Sequence, residues 1–488
     1  MTESTASAAP PGSGRDRPVR RGVVLVVIGA LLVAGAVLDR RERRDTELRA
    51  ERAFTMPVAA PSSALSSTWY CAGGSAQPNG PADATVVVAN AARHPLTATV
   101  TVVPNEGERA ATTETVAAQA RTTIRLQDVV QAPFAAAVVE LDGGEAAVEL
   151  VVSGALGESA APCAPAASER WFFADGATTR EATLLLALFN PFPENAIADL
   201  TFATDQGRAV PAALQGLVVP GRSLVVRSIG DFVRRREFLA GTVAVRSGRL
   251  IVHKLQLHDG GGRKGMALTL AAPAAGARWA WAEGVVDAGV SERVAIYNPG
   301  AQEAVVDVEF ALEQGAAEPF ELTIPARERV TVVASDEARI PKGDPHAITV
   351  IRRSGPDVVA ERTIDAIPPS ARAGFASTIG SRRVASRWIL AAGGASATVD
   401  EWIVVHNPGG RDTRVSMSAL ANGQRLAIDG LQEVEIGAGR RRSFRLGDHI
   451  EREALSLVVE ATSPVLVERT LYRVGGLGLS ATIGVPFG

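Results

Sequence analysis

Six histidines and two cysteines are the side chains of this sequence best suited to bind a metal or to serve as a nucleophile. Only His253 and His258 lie close together, and their odd separation in a strand would place the two side chains on opposite faces. No HExxH, CxxC or EF-hand spacing is present. We therefore expect neither a metal nor another cofactor.

Acid–base chemistry could come from two adjacent pairs, Glu361-Arg362 and Glu468-Arg469, in the related segments VVAERTID and VLVERTLY. Lys254 occupies the same place in LIVHKLQLH. Because neighbouring residues of a strand point to opposite faces, one member of each pair should face inward or lie near a sheet edge while the other meets solvent. A catalytic carboxylate would need a second convergent acid, which we cannot identify, and no GxSxG nucleophile elbow occurs. We interpret the pairs as structural charges and predict that the chain is not an enzyme.

Two further motifs have structural interpretations. DGGGRKG, residues 259–265, lacks the Gly-Lys-Ser/Thr ending of a phosphate loop and is typical of a hairpin turn. Tryptophans recur at one equivalent position in four related segments, namely Trp69, Trp171, Trp279 and Trp388. A recurring position favours packing over sugar stacking. Trp281 and Trp402 would be the better sugar contacts if their side chains were exposed.

The elements that must position these residues repeat four times along the chain. WYCAGG, WFFADG, WAWAEG and WILAAG open successive units, and an apolar strand in each unit then ends in VVVANAA, LALFNPF, VAIYNPG or IVVHNPG. The marker residues of this turn are Asn90, Asn190, Pro191, Asn298, Pro299, Asn407 and Pro408. Because the residue before the asparagine varies, the motif indicates a turn that marks the repeat rather than a shared chemical site.

Period-two alternation in segments such as ATVTVV and VVDVEF, separated by Gly, Pro, Asn and Asp clusters, predicts short antiparallel strands. The predicted fold class is all-β, with four tandem antiparallel β-sandwich domains of immunoglobulin-like type after an N-terminal transmembrane or signal helix. The predicted domains are repeat 1 (67–167), repeat 2 (168–275), repeat 3 (276–384) and repeat 4 (385–488). Short helices, capped by an Asp near their start, are expected only in segments such as 229–239 and 447–455.

The N-terminal region differs from the repeats. Residues 1–21 have the composition of a disordered cytoplasmic tail. Residues 22–38 carry no charge and would extend about 25 Å as a helix, a little less than a ~30 Å hydrocarbon core. We favour a retained transmembrane anchor over a cleaved signal peptide or a buried core helix. Residues 39–66 are predicted to form a charged juxtamembrane helix and a spacer rich in Pro, Ala and Ser.

Cys71 and Cys163 lie near the start and end of repeat 1. Downstream of an export segment, a disulfide is favoured over two separate buried thiols. We therefore predict a single-pass protein of the cell membrane with an extracytoplasmic C-terminal body, or a secreted protein if residues 22–38 are cleaved. The net charge of −3 provides no electrostatic footprint for nucleic acid, which we do not expect as a partner.

An apolar strand that ends in YNPG or HNPG, followed later by VVAERTID or VLVERTLY, resembles immunoglobulin-like repeats of bacterial surface proteins. With its N-terminal apolar segment and its Ala/Arg-rich composition, the chain is similar over residues 60–488 to the actinobacterial envelope proteins of domain-of-unknown-function family 5719. The resemblance implies a fold, but no activity and no catalytic residues.

We expect a non-enzymatic, membrane-anchored extracytoplasmic protein that presents its β-sandwich repeats for cell-envelope interaction or scaffolding. Residues 22–38 would contact the membrane, and the partner would be a cell-wall polymer or another envelope protein. Two alternatives remain. One is an exported carbohydrate-active or peptide-acting enzyme with an interdomain site, and the other is a purely structural stalk in which the repeats form a linear array.

Overall fold

Strands form wherever the sequence alternates apolar and other residues. The computed structural model describes residues 57–313, 315–421 and 423–488, and within these residues it has 35 β-strands, five 3-10 turns and no α-helix. The predicted all-β class is confirmed. No helix in the described ranges is long and apolar enough to cross a membrane. The predictions for 1–21 and 22–38, and those for 39–66 as far as residue 56, lie outside the described residues.

The strands can be grouped by the sequence repeats defined above. Repeat 1 contains β1 (Ser67–Ala76), β2 (Asp83–Asn90), β3 (Leu96–Pro104), β4 (Ala110–Val116), β5 (Ala120–Arg125), β6 (Ala132–Leu141), β7 (Ala146–Gly154) and β8 (Gly157–Pro162). Repeat 2 contains β9 (Arg170–Phe173), β10 (Ala182–Asn190), β11 (Ala196–Thr204), β12 (Gly207–Ala209), β13 (Leu217–Val219), β14 (Ser223–Ser228), β15 (Leu239–Ser247), β16 (Ile251–Gly260) and β17 (Arg263–Leu270). Repeat 3 contains β18 (Arg278–Trp281), β19 (Val290–Tyr297), β20 (Ala304–Leu312), β21 (Gly315–Ala316), β22 (Phe320–Ile324), β23 (Arg329–Val333), β24 (His346–Ser354), β25 (Val359–Ala366) and β26 (Gly374–Ile379). Repeat 4 contains β27 (Ala385–Leu390), β28 (Val399–His406), β29 (Thr413–Ala421), β30 (Gln424–Ala427), β31 (Val434–Ile436), β32 (Arg441–Arg445), β33 (Leu457–Arg473), β34 (Leu479–Ile483) and β35 (Val485–Pro486).

Short 3-10 turns take the place of the expected helices. Ile229–Asp231 begins the first segment predicted to be helical, and Leu446–Asp448 overlaps the start of the second; equivalent turns occur at Leu126–Asp128 and Ala334–Asp336. A fifth turn is Ala212–Leu214. The predicted Asp caps are wrong, because the aspartate ends each turn and no side chain caps its start. These turns connect two strands without forming a helix.

Each repeat is built from two sheets. In repeat 2 the strand orders are β14-β10-β16-β17 and β12-β11-β15-β9, with β13 also paired to β11, and repeat 3 has the equivalent pair of sheets. In repeat 1 a parallel bridge between Ser75 and Asp83 joins the two sheets, whereas in repeat 4 the long strand β33 pairs in both. Buried side chains of both sheets, such as Leu188 and Phe202 in repeat 2, belong to one hydrophobic core.

The glycine-rich segment 259–265 is a hairpin turn, as predicted. Strands β16 and β17 pair as far as Gly260 opposite Arg263. Between them, Gly261 and Gly262 have φ values of 64° and 79°, which glycine adopts without steric cost. A strand follows this turn, where a phosphate loop would be followed by a helix.

One equivalent strand of each repeat, namely β8, β17, β26 or β34, contacts those of the neighbouring repeats in a closed cycle, and we call these four the axial strands. Strand β17 contacts β8 and β26, and β34 contacts β26 and β8. The sheets are therefore arranged as in a propeller, with repeat 4 closing against repeat 1. Residues of β26 and β34 are buried almost without interruption, because one face packs in their own repeat and the other on neighbouring repeats.

Equivalent threonines hydrogen-bond the axial strands to one another. The hydroxyls of Thr269, Thr378 and Thr482 donate to the carbonyls of Ser377 (3.0 Å), Ala481 (2.9 Å) and Ala160 (2.8 Å), respectively. The last of these bonds joins repeat 4 to repeat 1. Hydrophobic packing also crosses this junction, since Ile389 of repeat 4 belongs to the core of repeat 1. Together these contacts join the four repeats into one compact unit.

Residues 57–66 are the described part of the predicted spacer, and the start of this segment packs on the closed ring of four repeats. Ala59 is buried and donates its N–H to the carbonyl of Pro486 in repeat 4 (2.9 Å). The N–H of Glu145 in repeat 1 donates to the carbonyl of Ala60 (2.8 Å). This segment therefore bridges the first and last repeats.

Candidate functional site

Two sets of equivalent positions bring charged side chains into the contacts between repeats. The glutamate position comprises Glu149, His253, Glu361 and Glu468. The cation position comprises Leu150, Lys254, Arg362 and Arg469. Each residue at the glutamate position pairs with the last residue of the axial strand of its own repeat. This shared strand register shows that the four residues are equivalent. The cation position of one repeat meets the glutamate position of the next.

Three of the four interfaces contain a buried ion pair. These are Lys254–Glu361 between repeats 2 and 3, Arg362–Glu468 (2.5 Å) between repeats 3 and 4, and Arg469–Glu149 (2.7 Å) between repeats 4 and 1. All six side chains are buried. The prediction that one member of each Glu-Arg pair meets solvent is therefore wrong. It fails because the neighbouring repeat covers the face of the strand that would be exposed in an isolated sandwich.

The buried carboxylates are hydrogen-bonded as well as paired. Glu361 Oε2 accepts the backbone N–H groups of Ala174 and Asp175, both at 3.0 Å. Glu468 accepts two equivalent N–H groups in repeat 3 (3.0 and 2.9 Å), and Glu149 accepts one in repeat 4 (2.8 Å). Lys254 Nζ also donates to the carbonyl of Asp175 (2.6 Å). A buried ion pair whose carboxylate is also held by backbone N–H groups is a structural arrangement.

A second set of charges supports two of these interfaces. Arg329 of repeat 3 contacts Asp175 of repeat 2 (3.1 Å), and Arg441 of repeat 4 contacts Glu283 of repeat 3 (2.6 Å). The acidic residues lie in the loop that follows each repeat-marking tryptophan. We did not predict from the sequence that this loop contacts the next repeat, although the recurring Ala-x-Gly after each Trp was the available signal.

The interface between repeats 1 and 2 is neutral at every one of these positions. Leu150 stands at the cation position and His253 at the glutamate position. In the second set, Gly73 stands in place of the acidic residue and Leu224 in place of the arginine. His253 is buried, and its Nε2 lies 3.4 Å from the carbonyl of Pro162. Burial lowers the pKa of His253 to about 4, so its imidazole is neutral at pH 7.

The asparagines of the marker turn make one recurring set of hydrogen bonds. Asn298 Nδ2 donates to the carbonyls of Gln302 (2.7 Å) and Ile324 (3.0 Å), and its Oδ1 accepts the N–H of Gly300 (2.9 Å). Asn90, Asn190 and Asn407 are buried and bond in the same pattern. Pro191, Pro299 and Pro408 follow the asparagine in three copies, where no N–H is required. The structure thus places these residues in a chain reversal, with the amide occupied by backbone groups.

The predicted disulfide between Cys71 and Cys163 is confirmed. It links β1 to the residue after β8, with an S–S distance of 2.01 Å, and both residues are fully buried. The neighbouring residue of β1, Gly73, approaches His253 of repeat 2. The disulfide therefore strengthens repeat 1 beside the one neutral interface.

The repeat-marking tryptophans are buried, whereas the two proposed sugar contacts differ from each other. Trp281 is fully buried and donates its indole N–H to the carbonyl of Thr378 (3.0 Å), so it is not an exposed contact. Trp402 is half-buried, and its indole N–H donates to Asp400 (3.0 Å). The guanidinium of Arg372 stacks on the Trp402 ring at 5.3 Å. Neither ring is left free as a broad stacking platform.

The axial strands line a small cavity of about 70 Å³, which we call the axial cavity. The equivalent residues Ala161, Thr269, Thr378 and Thr482 contribute to its wall. Pro57, where the described chain begins, also lines it. No acidic residue is among its lining residues. The described residues contain no cluster of His, Cys, Asp or Glu suited to a metal ion.

A second cavity of about 650 Å³ lies between repeats 3 and 4 and shares Ser381, Arg382 and Arg383 with the axial cavity. We call it the arginine groove, because it is lined by Arg278, Arg382, Arg383 and Arg411 and by no acidic side chain. Hydrogen bonds between Ser381 and the backbone of Arg383 shape the turn that carries two of these arginines. The sequence did not reveal this groove, since its residues come from two repeats.

Comparison with known proteins identifies a family but no activity. A family model described as a family of unknown function (DUF5719) matches residues 152–399. No curated protein matches the chain. A solved Thermotoga maritima protein, 1070, is 20% identical with a TM-score of 0.20, covering 22% of this chain and 93% of that one. The Anabaena sensory rhodopsin transducer is 27% identical with a TM-score of 0.16, covering 18% and 94%. A tetra-tandem repeat from the extending region of a large adhesion protein is 13% identical with a TM-score of 0.12, covering 86% and 99%.

Proposed function

Because the chain belongs to the family of unknown function DUF5719, we propose a function from the geometry of this chain. We propose a non-enzymatic, membrane-anchored extracytoplasmic protein that presents four immunoglobulin-like β-sandwich repeats, closed into a ring, to a component of the cell envelope. The observation that carries this proposal is that the buried glutamates between the repeats are engaged in structural ion pairs. Glu149, Glu361 and Glu468 hold the repeats together and leave a scaffold with an arginine-lined opening.

The lining of the two cavities favours binding over hydrolysis. Glycoside hydrolysis needs two carboxyl groups that converge on the scissile bond. The interdomain carboxylates that could have served this purpose are each engaged by a cation and by backbone N–H groups. Neither the axial cavity nor the arginine groove has an acidic lining residue. We therefore propose a binding protein rather than an exported enzyme.

The disulfide supports an extracytoplasmic location. Cys71 and Cys163 are bonded, and structural disulfides persist mainly in oxidising compartments. The charge-free residues 22–38 would provide the anchor.

The closed arrangement distinguishes the proposal from a structural stalk. In a linear array, repeats 1 and 4 would lie at opposite ends. Here Arg469 of repeat 4 pairs with Glu149 of repeat 1, and Ala59 and Ala60 bridge the same two repeats. A ring shortens the reach of the chain but brings residues of all four repeats to one axial cavity, which suits ligand presentation better than extension.

The location is tested with the full chain carrying a C-terminal epitope tag. Protease added to intact cells should remove the tag, as it should after lysis, while a cytoplasmic control protein survives in intact cells. Alkylation of unreduced protein should leave Cys71 and Cys163 unmodified. Protection of the tag in intact cells, or free thiols in the exported protein, would contradict an extracytoplasmic body.

Binding is tested by capture with the detergent-solubilised full chain. Solubilised membrane proteins and purified cell-wall polymer are offered separately, and a matched membrane protein with an unrelated exported domain is the control. Retention of one fraction by this chain alone is expected. Failure to retain either fraction under matched salt conditions would overturn the proposed envelope interaction.

A further inference from the structure

The buried ion pair between repeats 2 and 3 differs from the other two at the residues that meet the carboxylate. Its cation is Lys254, whereas arginine stands at the cation position of repeats 3 and 4. Ser377 of the axial strand β26 corresponds to Ala481 in repeat 4 and to Ala160 in repeat 1. Among the three charged interfaces of the described ring, this one alone thus brings both an amine and a hydroxyl to its glutamate, Glu361.

The three side chains that meet at this interface are shielded from water. The relative exposure is 1% for Lys254, 0% for Glu361 and 4% for Ser377. The ring of Phe173 covers the amine, with Nζ 5.7 Å from the ring centre. Two buried charges carry a desolvation cost that their mutual attraction offsets only in part. Conversion of the pair into a neutral amide would remove both charges from this apolar setting.

The backbone contacts of Glu361 suit a carboxyl group that reacts with a nucleophile. Its Oε2 accepts the N–H groups of Ala174 and Asp175, both at 3.0 Å. Two N–H groups directed at one acyl oxygen stabilise the negative charge that develops there when a nucleophile adds to the carbon. Glu468 accepts the equivalent N–H groups, but its cation is a guanidinium, which stays protonated and is not a nucleophile. The repeats thus supply the backbone donors at two interfaces and a nucleophile at one of them.

The other oxygen of Glu361, Oε1, meets the two side chains that set this interface apart. Lys254 Nζ contacts Oε1 directly, and Ser377 Oγ donates to it at 2.5 Å. The same hydroxyl lies 3.3 Å from Nζ, so it can pass a proton from the amine to Oε1. The backbone carbonyl of Asp175 accepts a hydrogen bond from Nζ at 2.6 Å and holds the amine in place. The Asp175 carboxylate pairs with Arg329 instead (3.1 Å), which leaves the serine as the proton relay.

We propose that Lys254 and Glu361 condense to an amide that covalently links repeats 2 and 3. A proton first passes from Nζ to Oε1, which leaves a neutral amine and a neutral carboxyl group. The amine nitrogen then bonds to Cδ of Glu361, and the two backbone N–H groups hold the charge that forms on Oε2. Ser377 takes one proton from the nitrogen and delivers its own to Oε1. The Cδ–Oε1 bond breaks, and one water molecule leaves.

The fold favours this condensation although it is unfavourable between free groups in water. Reacting groups that are held in contact and oriented behave as if present at about 10⁵–10⁸ M. The reaction occurs once per chain and needs no other reactant, so it is compatible with the non-enzymatic function proposed above. The amide would fix the interface between repeats 2 and 3, whereas the disulfide links two strands within repeat 1.

The test is a tryptic peptide map of the purified full chain, reduced and unfolded before digestion. We expect a branched peptide that joins residues 250–263 to residues 354–362, because the amide prevents cleavage after Lys254. Its mass should be the sum of the two peptides less one water molecule. Separate peptides 250–254 and 354–362, with no branched product, would overturn the proposal.

Lys254→Arg is the matched control, because it copies the cation of repeats 3 and 4 and keeps the ion pair. The variant should fold, as judged by its circular dichroism, and should yield only the separate peptides. A branched product that still contains residues 354–362 in this variant would show that the link does not use the Lys254 amine.

Ser377→Ala copies the residue of repeats 4 and 1 and keeps both reacting groups. We expect it to slow formation of the branched peptide at least about tenfold through loss of the proton relay. Ser377→Thr retains a hydroxyl and should restore most of the rate. Pulse labelling with heavy lysine, followed by peptide maps at successive times, measures the rate. An unchanged rate in Ser377→Ala would contradict the relay.

These measurements are independent of the envelope assays, because they involve neither a ligand nor a membrane. A chain that is exported and captures an envelope component, yet has no branched peptide, refutes the amide alone. A chain that has the branched peptide but retains no envelope fraction refutes the envelope interaction alone.

Discussion

The interface between repeats 1 and 2 and the interface between repeats 4 and 1 use the same strand positions with opposite chemistry. The first combines Leu150 with His253, which is neutral at pH 7. The second combines Arg469 with Glu149 in a fully buried ion pair. Both solutions are internally matched, whereas a combination of the two would bury an unpaired charge, which is strongly unfavourable.

The difference between these interfaces suggests what the ion pairs contribute. A buried pair is weak evidence for net stability, because desolvation offsets the attraction between the charges. Its larger effect is to destabilise a contact between two repeats whose charged and neutral positions do not match. We infer that the charged positions specify which repeat closes against which, and that the neutral pair makes the contact of repeats 1 and 2 distinct from the other three.

The largest effect is expected from breaking the closing ion pair on one side. Arg469→Leu would leave the buried carboxylate of Glu149 without its cation, and we expect a loss of about 3–5 kcal/mol in the free energy of unfolding. Urea denaturation of the detergent-solubilised full chain measures this loss.

The double variant Arg469→Leu, Glu149→His copies the neutral interface and tests the comparison directly. Its loss of stability should be smaller than the sum of the two single losses, because neither member of the Glu149–Arg469 pair is left behind without the other. Strict additivity in the double-mutant cycle would show that the two positions are not a matched pair.

A somewhat smaller effect is expected from the disulfide that flanks the neutral interface. Cys71→Ala combined with Cys163→Ala removes a cross-link of sequence separation 92 and should lower the free energy of unfolding by about 4 kcal/mol in the chain-entropy model. The reduced wild type is the matched control and should unfold at a similar urea concentration. A double variant as stable as the oxidised wild type would show that repeat 1 does not depend on the cross-link.

The sequence predicted the strands and the disulfide because both depend on local or paired signals. Period-two alternation appears within single strands, and two cysteines downstream of a predicted export segment have one partner each. The Glu-Arg pairs could not be placed correctly, because their exposure depends on a neighbouring repeat. Glu149 and Arg469 are 320 residues apart, and no single-repeat pattern shows that repeat 4 returns to repeat 1.

The arginine groove escaped prediction for the same reason. Arg382 and Arg411 belong to loops of different repeats, and each is unremarkable in its own segment. Only the closed ring brings them to one cavity. Comparison of equivalent positions after alignment of the repeats would have shown the departure of Arg382 and Arg383 from Pro and Ala, but not that they face Arg411.

An acid-dependent effect should distinguish the neutral interface from the charged ones. The folded-state pKa of His253 is about 4, below the ordinary value of 6.5, so the unfolded chain binds more protons between these values. Stability should therefore fall as the pH drops from 6.5 to 4, by roughly 3 kcal/mol for this group.

His253→Gln removes this titration while keeping a neutral polar side chain of similar size. The difference in unfolding free energy between wild type and variant, measured by urea denaturation at several pH values, isolates His253 from the other buried histidines, which remain in both proteins. We expect that difference to change across pH 4–6.5 and to be flat above pH 7. A constant difference over the whole range would show that His253 is not buried as a neutral group.

The smallest effect concerns the axial strands, where three interfaces have a threonine bond and the contact of repeats 1 and 2 has Ala161 instead. Thr482→Val keeps the shape of the side chain but removes the donor to the carbonyl of Ala160, and we expect a loss of about 1 kcal/mol. Ala161→Thr should add the missing donor at the neutral interface, toward the carbonyl of Leu268, because Ala161 lines the axial cavity and the equivalent threonines bond in this way. Thermal unfolding of both variants against wild type measures the two changes, which should have opposite signs. If Ala161→Thr destabilises the chain as Thr482→Val does, the neutral interface has a different axial geometry, and its departure from the other three extends beyond side-chain chemistry.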